Sequence, residues 1–229
     1  MLSGKKIKTD FQGFTLIEIL VAMVIFSITM ITLFSAFNAF LSSGRLVKNE
    51  VIQNDRFRLG LKTIFSDLEQ IFVLQPPRYI KPEFNSEPDP YGFVGTQSDV
   101  GGEKFSQLSF TNLNHASLGT NTGNGVAKIV YYVTHRKDRF DLLRSDRLAP
   151  YPEELDPCSD PVLFKDITGF KLSYTDIFGD EHDSWDSESK AFNFIFPAKV
   201  QIQIELGQNS SNRSIVTSIA LPTNREALE

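Results

Sequence analysis

The feature that most constrains this chain is a long apolar run from Phe14 to Leu41, 28 residues, broken by a single charge at Glu18. No further charged residue appears until Arg45. About 20 apolar residues suffice to cross the hydrocarbon of a bilayer, so the run predicts one membrane-spanning helix. An ionisable group inside such a segment is costly and marks a functional position. A short basic leader bearing Lys5, Lys6 and Lys8 precedes the run and ends at Gly13. Cutting the Gly13–Phe14 bond would create an α-ammonium on Phe14, one helical turn from Glu18. The carboxylate would then be placed to neutralise that charge, or the same charge on a neighbouring copy.

Two other readings compete. A secretory signal has an apolar core of about 7–15 residues followed by a small-x-small cleavage site. This run is too long for that core, although Ser42-Ser43-Gly44 offers such a site. A plain signal anchor accounts for the length but not for Glu18, nor for a glycine placed just before the run.

The basic leader, Gly13, Phe14, Thr15-Leu16 and Glu18 together resemble the type IV prepilin and type II secretion pseudopilin superfamily. The signature occupies at most the first quarter of the chain. The resemblance implies cleavage between Gly13 and Phe14 by a prepilin peptidase on the cytoplasmic side, then N-methylation of Phe14. It also implies that Glu18 sets the register of helices packed in the core of a pilus-like fibre.

Length and charge narrow the rest. The 229 residues allow the helix plus one further domain. The chain carries a net charge of −5, and nucleic-acid binding normally needs a basic face, so no nucleic-acid partner is expected. The sole cysteine, Cys158, cannot close an intrachain disulfide. Many major pilins have a C-terminal disulfide loop, so its absence leans toward a pseudopilin or minor pilin. Lysines before the helix keep that flank cytoplasmic, against a weaker bias from Arg45 and Lys48. The domain beyond residue 45 is expected in the periplasm, with the helix single-pass in the inner membrane.

Phe57, Leu61, Ile64, Phe65, Leu68, Ile71 and Phe72 fall at helical spacing, with Arg58, Lys62, Ser66, Asp67, Glu69 and Gln70 on the opposite face. The spacing predicts a helix from about residue 14 to 74, stopped by Pro76-Pro77, though two helices broken near Ser42-Ser43-Gly44 fit the same pattern. Residues 76–102, rich in proline and glycine, read as irregular. Strands are expected at Phe105–Phe110, Val126–Thr134, Phe140–Arg144, Val162–Phe164, Gly169–Thr175, Phe192–Phe196, Val200–Leu206 and Ser214–Leu221, with a polar turn over Gly207–Asn212. The fold expected is α+β and pilin-like, a long N-terminal helix packed on a mainly antiparallel β domain. Its parts are a cleaved leader (1–13), a fibre-core helix (14–41), an amphipathic continuation (42–75) and a periplasmic domain (76–229).

A second resemblance lies in the C-terminal half. Ile167–Asp176, then Trp185, then Phe196-Pro197-Ala198-Lys199-Val200 are similar to the J-type minor pseudopilins, with Phe196 where leucine is usual. The W-type minor pilins of type IV pili share the outline. The K-type pseudopilin lacks the glutamate and is much larger. The resemblance implies a non-enzymatic tip subunit of type II secretion, with I- and K-type minor pseudopilins, the major pseudopilin and the prepilin peptidase as partners. A minor pilin of a type IV pilus is the alternative, and a periplasmic binding or enzymatic β domain on a signal anchor is the rival from another class.

No cofactor, small-molecule substrate or catalytic group emerges from the pattern. His115, His135 and His182 have no ligand spacing with Cys158. Gly119–Lys128 lacks the Gly-Lys-Ser/Thr ending of a phosphate loop. Asp176, Asp180, Glu181, Asp183, Asp186 and Glu188 could hold calcium, but without EF-hand spacing a solvated acidic turn fits better.

Overall fold

The computed structural model describes residues 13, 15–83, 89–113, 125–149, 151, 154–207 and 213–225, with backbone alone at 42–54 and 213. The chain divides into two compact units, Met1–Asn54 and Asp55–Glu229. One helical element, α1, is assigned from Leu16 to Glu69.

In the first unit, Leu16–Leu41 forms a 26-residue apolar stretch with a mean hydropathy of 2.5 and no part of its apolar window buried. The hydroxyls of Ser27, Thr29 and Thr32 donate to carbonyls one turn back, at 2.8–3.0 Å. They are thereby satisfied within the helix, as a segment without water around it requires.

The second unit holds an antiparallel sheet. Among the described residues nine strands take part: β1 Val94–Val100, β2 Glu103–Asn112, β3 Ala127–Arg136, β4 Arg139–Leu148, β5 Val162–Thr175, β6 Glu181–His182, β7 Trp185–Asp186, β8 Lys199–Leu206 and β9 Arg213–Ala220. Their order is β7-β1-β2-β3-β4-β5-β8-β9, with β6 on β5. Because β6 pairs with β5 while β7 pairs with β1, the short segment joining them draws distant strands together and curls the sheet. Where β5 has no neighbour between β4 and β6, the Leu172 amide donates instead to the buried Ser106 hydroxyl on β2 at 2.9 Å. That contact explains why Phe105–Phe110 alternates only partly in sequence.

The concave side of the curl is filled by Phe105, Leu108, Phe110, Ile129, Tyr131, Phe170, Leu172, Val200, Ile202 and Ile204, against Ile64, Leu68 and Ile71. Phe93 sits among Phe110, Tyr174 and Phe196, with ring centroids 5.7–6.2 Å apart. Phe57, Leu61, Ile64, Phe65 and Leu68 of the helix thus pack as their spacing predicts, while Ile71 joins the core from beyond the helix end.

Several expectations need correction. Residues 76–102 are not all irregular, since β1 lies within them and turns into β2 through Gly101-Gly102, both at positive φ as a tight hairpin requires. Only Val94 and Val100 mark β1 as a strand in the sequence, which is why the pattern fails there. Val162–Phe164 and Gly169–Thr175 are parts of one strand, β5, whose pairing is irregular between Ile167 and Gly169. Phe192–Phe196 is not a strand. A short 3₁₀ turn covers Lys190–Phe192, and Asn193 and Phe194 adopt left-handed backbone that no strand accepts. The helix ends at Glu69, before Pro76, because the end of β2 takes over its carbonyls: Asn112 Nδ2 donates to Asp67 O at 2.9 Å and Leu113 N to Gln70 O at 3.4 Å. Most of the Gly207–Asn212 turn lies outside the described residues.

Gly95 on β1 faces Tyr174, whose buried hydroxyl has no hydrogen-bond partner. A Cβ at position 95 would fall 2.0 Å from that oxygen. Tyr174→Phe is therefore expected to stabilise the domain by about 1 kcal/mol, since it removes a desolvated, unpaired hydroxyl. Gly95→Ala should cost about 1–3 kcal/mol by overpacking, in the Tyr174→Phe background too, because ring carbons of residue 174 also crowd the added Cβ. Chemical denaturation of the four variants checks both.

Candidate functional site

The N-terminal site is built on the first turn of α1. Thr15 precedes the helix, and its Oγ1 accepts from the Glu18 amide at 3.4 Å, while Thr15 O accepts from the same amide at 3.1 Å. Thr15-Leu16-Ile17-Glu18 therefore has the Thr-x-x-Glu form of a capping box, in which the third helical residue is acidic. The helix dipole also favours a carboxylate there. This role was legible in the sequence and is an addition to the reading of Glu18 as a partner for an ammonium. Gly13 is exposed just before the helix, and Glu18 is exposed on it. Phe14, with residues 1–12 of the leader, lies outside the described residues. Around Glu18, Leu16, Ile17, Ile19, Leu20 and Val21 are all exposed as well. Among the described residues the carboxylate is thus set in an uncovered apolar surface, where a matching positive charge is worth most.

Among the described residues, two ionic centres built on fully buried arginines escaped the sequence reading. Arg144 on β4 is fully buried, and its guanidinium meets Asp67 of α1 at 2.6 and 3.1 Å and Asp146 at 2.7 Å. The Tyr131 hydroxyl donates to the same Asp67 carboxylate. Burial works against the charge on Arg144, but Asp67, Tyr131 and Asp146 outweigh it and push its pKa up. Burial and the Asp67 charge push the Tyr131 phenol up, so it stays a donor. Asp67 had been assigned to the polar, outward face of the helix.

Arg225 forms the second centre. It stacks 3.4 Å over the Tyr79 ring and bonds Glu188 at 2.8 Å, Asp89 at 3.2 Å and the carbonyls of Leu74, Ser187 and Phe194. Burial pushes the Glu188 carboxyl up, and the bond from Arg225 offsets this only in part. Both centres join segments distant in sequence, and Tyr79, Asp89 and Glu188 of the second line a cavity of about 390 Å³.

The acidic stretch after β5 forms a tight turn. Asp176 Oδ1 accepts from the Phe178 amide at 2.8 Å and the Asp180 amide at 2.9 Å, and Asp180 O accepts from the Asp176 amide at 3.0 Å. Slight burial works against the Asp176 carboxylate, but these amides and His182 hold its pKa below the usual value. Trp185 is buried, stacks on Phe192 at 4.3 Å and donates to Ile195 O at 3.0 Å. His182 lies against the same pair of rings, His135 against Phe140, and Cys158 is exposed. His115 and residues 119–124 of the glycine-rich segment lie outside the described residues. Among the described residues no three His, Cys, Asp or Glu side chains converge to hold a metal.

Comparison with known proteins bears on the N-terminal site. Residues 8–34 match the prokaryotic N-terminal methylation motif, a span that includes Gly13, Phe14 and Glu18. No curated protein matches the chain. Among solved structures it is similar to a type IV-like pilin from Thermus thermophilus, at 7% identity and a TM-score of 0.40, covering 72% of this chain and 94% of that one. The chain thus joins an N-terminal methylation motif to a long apolar helix and a curled antiparallel sheet.

Proposed function

We propose that this chain is a minor pseudopilin of a type II secretion system, of the J type, anchored in the inner membrane with residues 55–229 in the periplasm. The observation that carries the reading is the apolar helix Leu16–Leu41, wholly uncovered, with Glu18 in its first turn and the whole lying within or against a methylation motif. A surface this apolar needs lipid before assembly and other helices after it. In this reading the prepilin peptidase cuts between Gly13 and Phe14, Phe14 is N-methylated, and the helix leaves the bilayer for the core of a short fibre. I- and K-type minor pseudopilins join it at the tip, and the major pseudopilin extends the fibre below. Glu18 meets the Phe14 ammonium of its own chain or of a neighbour. An unmatched charge in a dry bundle is penalised heavily, so only one axial stagger is tolerated.

Intact mass and N-terminal sequencing of the membrane-extracted protein test the processing step. The expected mature N-terminus is N-methylated Phe14, and Gly13→Arg is expected to leave the leader uncut, since a large cation replaces a hydrogen at the scissile bond. A mature N-terminus after Gly44 would overturn the proposal in favour of ordinary secretion. Co-purification with I- and K-type subunits tests the choice of machine, and recovery with type IV pilus subunits instead would reassign it.

A further inference from the structure

The acidic turn after β5 presents two large apolar side chains to solvent, Ile177 at 55% and Phe178 at 79% exposure. They do not sit on a loose loop. The Asp176 carboxylate and backbone bonds between Asp176, Gly179 and Asp180 close the turn beneath them. β5 and β8 hold its base, with Thr175 paired to Lys199 and the Ala198 amide bonded to Thr175 O at 2.8 Å. A rigid turn that keeps a phenylalanine in water gives up apolar burial available elsewhere, while a rigid aromatic is what an interface anchor requires. The surroundings narrow what can receive it. Asp180 and Glu181 are exposed at the turn itself, while Asp183 further on is paired with Lys171 at 3.3 Å. An anionic lipid surface would be repelled by the two carboxylates at the turn.

We propose that Ile177 and Phe178 form an anchor that inserts into an apolar pocket of a neighbouring subunit, a pocket rimmed by Lys or Arg that face Asp180 and Glu181. The apolar pair supplies the lasting contact, and the carboxylates steer the encounter and reject acidic partners. This inference rests on the assembly reading above and adds to it the surface used outside the helical core.

The test uses the full chain in cells, with a photoreactive phenylalanine analogue at position 178 and tagged I- and K-type subunits. Irradiation is expected to give an adduct with one of them, and the same analogue at exposed Gln97 on β1 is expected to give none. Asp180→Lys with Glu181→Lys should cut that adduct about tenfold, and Phe178→Ser should weaken co-purification about thirtyfold. Ile177→Ser provides a second, milder variant, and all these changes lie at exposed positions, so thermal melts should match the parent. A lipid adduct, no subunit adduct, or one indifferent to charge reversal would overturn the anchor. A mature N-terminus other than Phe14 would remove the assembly reading instead, whereas a Phe14 N-terminus with no adduct at 178 removes the anchor alone.

Discussion

Arg144→Ala is expected to destabilise the β domain by about 3–5 kcal/mol, because it strips the cation from a buried cluster and leaves the Asp67 carboxylate buried without its guanidinium. Set against a total of about 5–15 kcal/mol for an ordinary domain, that loss brings the fold to the edge of unfolding. Arg144→Lys should rescue little, since a single ammonium cannot span the two carboxylates as the guanidinium does. Removing the charges together has a different outcome. Asp67→Leu with Arg144→Met, Asp146→Leu and Tyr131→Phe, the last because the Tyr131 hydroxyl loses its acceptor, is expected to recover most of the loss, because an apolar set avoids the desolvation of the ions. Urea denaturation of residues 55–229 measures each step, and a loss below about 1 kcal/mol for Arg144→Ala would show that the pair is not holding α1 to the sheet.

The second large effect concerns Glu18, where two roles must be separated. Glu18→Ala removes both the charge and the acidic member of the cap, while Glu18→Gln keeps a side chain suited to a capping box and loses only the charge. If pairing with the Phe14 ammonium sets register, Ala and Gln are both expected to be cleaved normally and to reduce secretion or fibre formation by about tenfold or more, as loss of a buried partner would. Charge-retaining Glu18→Asp should fall between them and the parent. If Glu18→Gln behaves as the parent, the charge at position 18 is not needed and the register mechanism fails. Membrane insertion of the lone helix should improve in Ala and Gln alike, because a charge has left the apolar segment.

Much of the fold was legible because its driving pattern is local. The Phe57–Leu68 part of the stripe and the Val200–Leu206 alternation each announce one apolar face, and both pack as their periods require. The β3–β4 hairpin was likewise marked by its polar turn, with Lys137 and Asp138 both at positive φ. What stayed hidden depends on distant partners. Asp67 looks like an outward residue until Arg144, 77 positions later, meets it. The strand at Val94–Val100 has little apolar signal of its own and is held by pairing with β2 and β7. Phe192–Phe196 reads as a strand by composition, but the backbone at Asn193 and Phe194 bends away so that Phe196 can reach Phe93. At the N-terminus the cap was visible in Thr15 and Glu18, but it was masked by the more conspicuous question of why a membrane segment carries a charge.

Arg225 sets an order of events in synthesis. Its guanidinium reaches back 151 residues to Leu74 and gathers Tyr79, Asp89, Glu188 and Phe194 about one ion. A chain delivered N-terminus first has all of those acceptors in place long before their common donor arrives. Until residue 225 has emerged, Asp89 and Glu188 must remain hydrated, and the segment between α1 and β1 cannot settle on the sheet. Contacts of such sequence separation form late. The segments gathered about this ion are therefore fastened to one another only once residue 225 is in place.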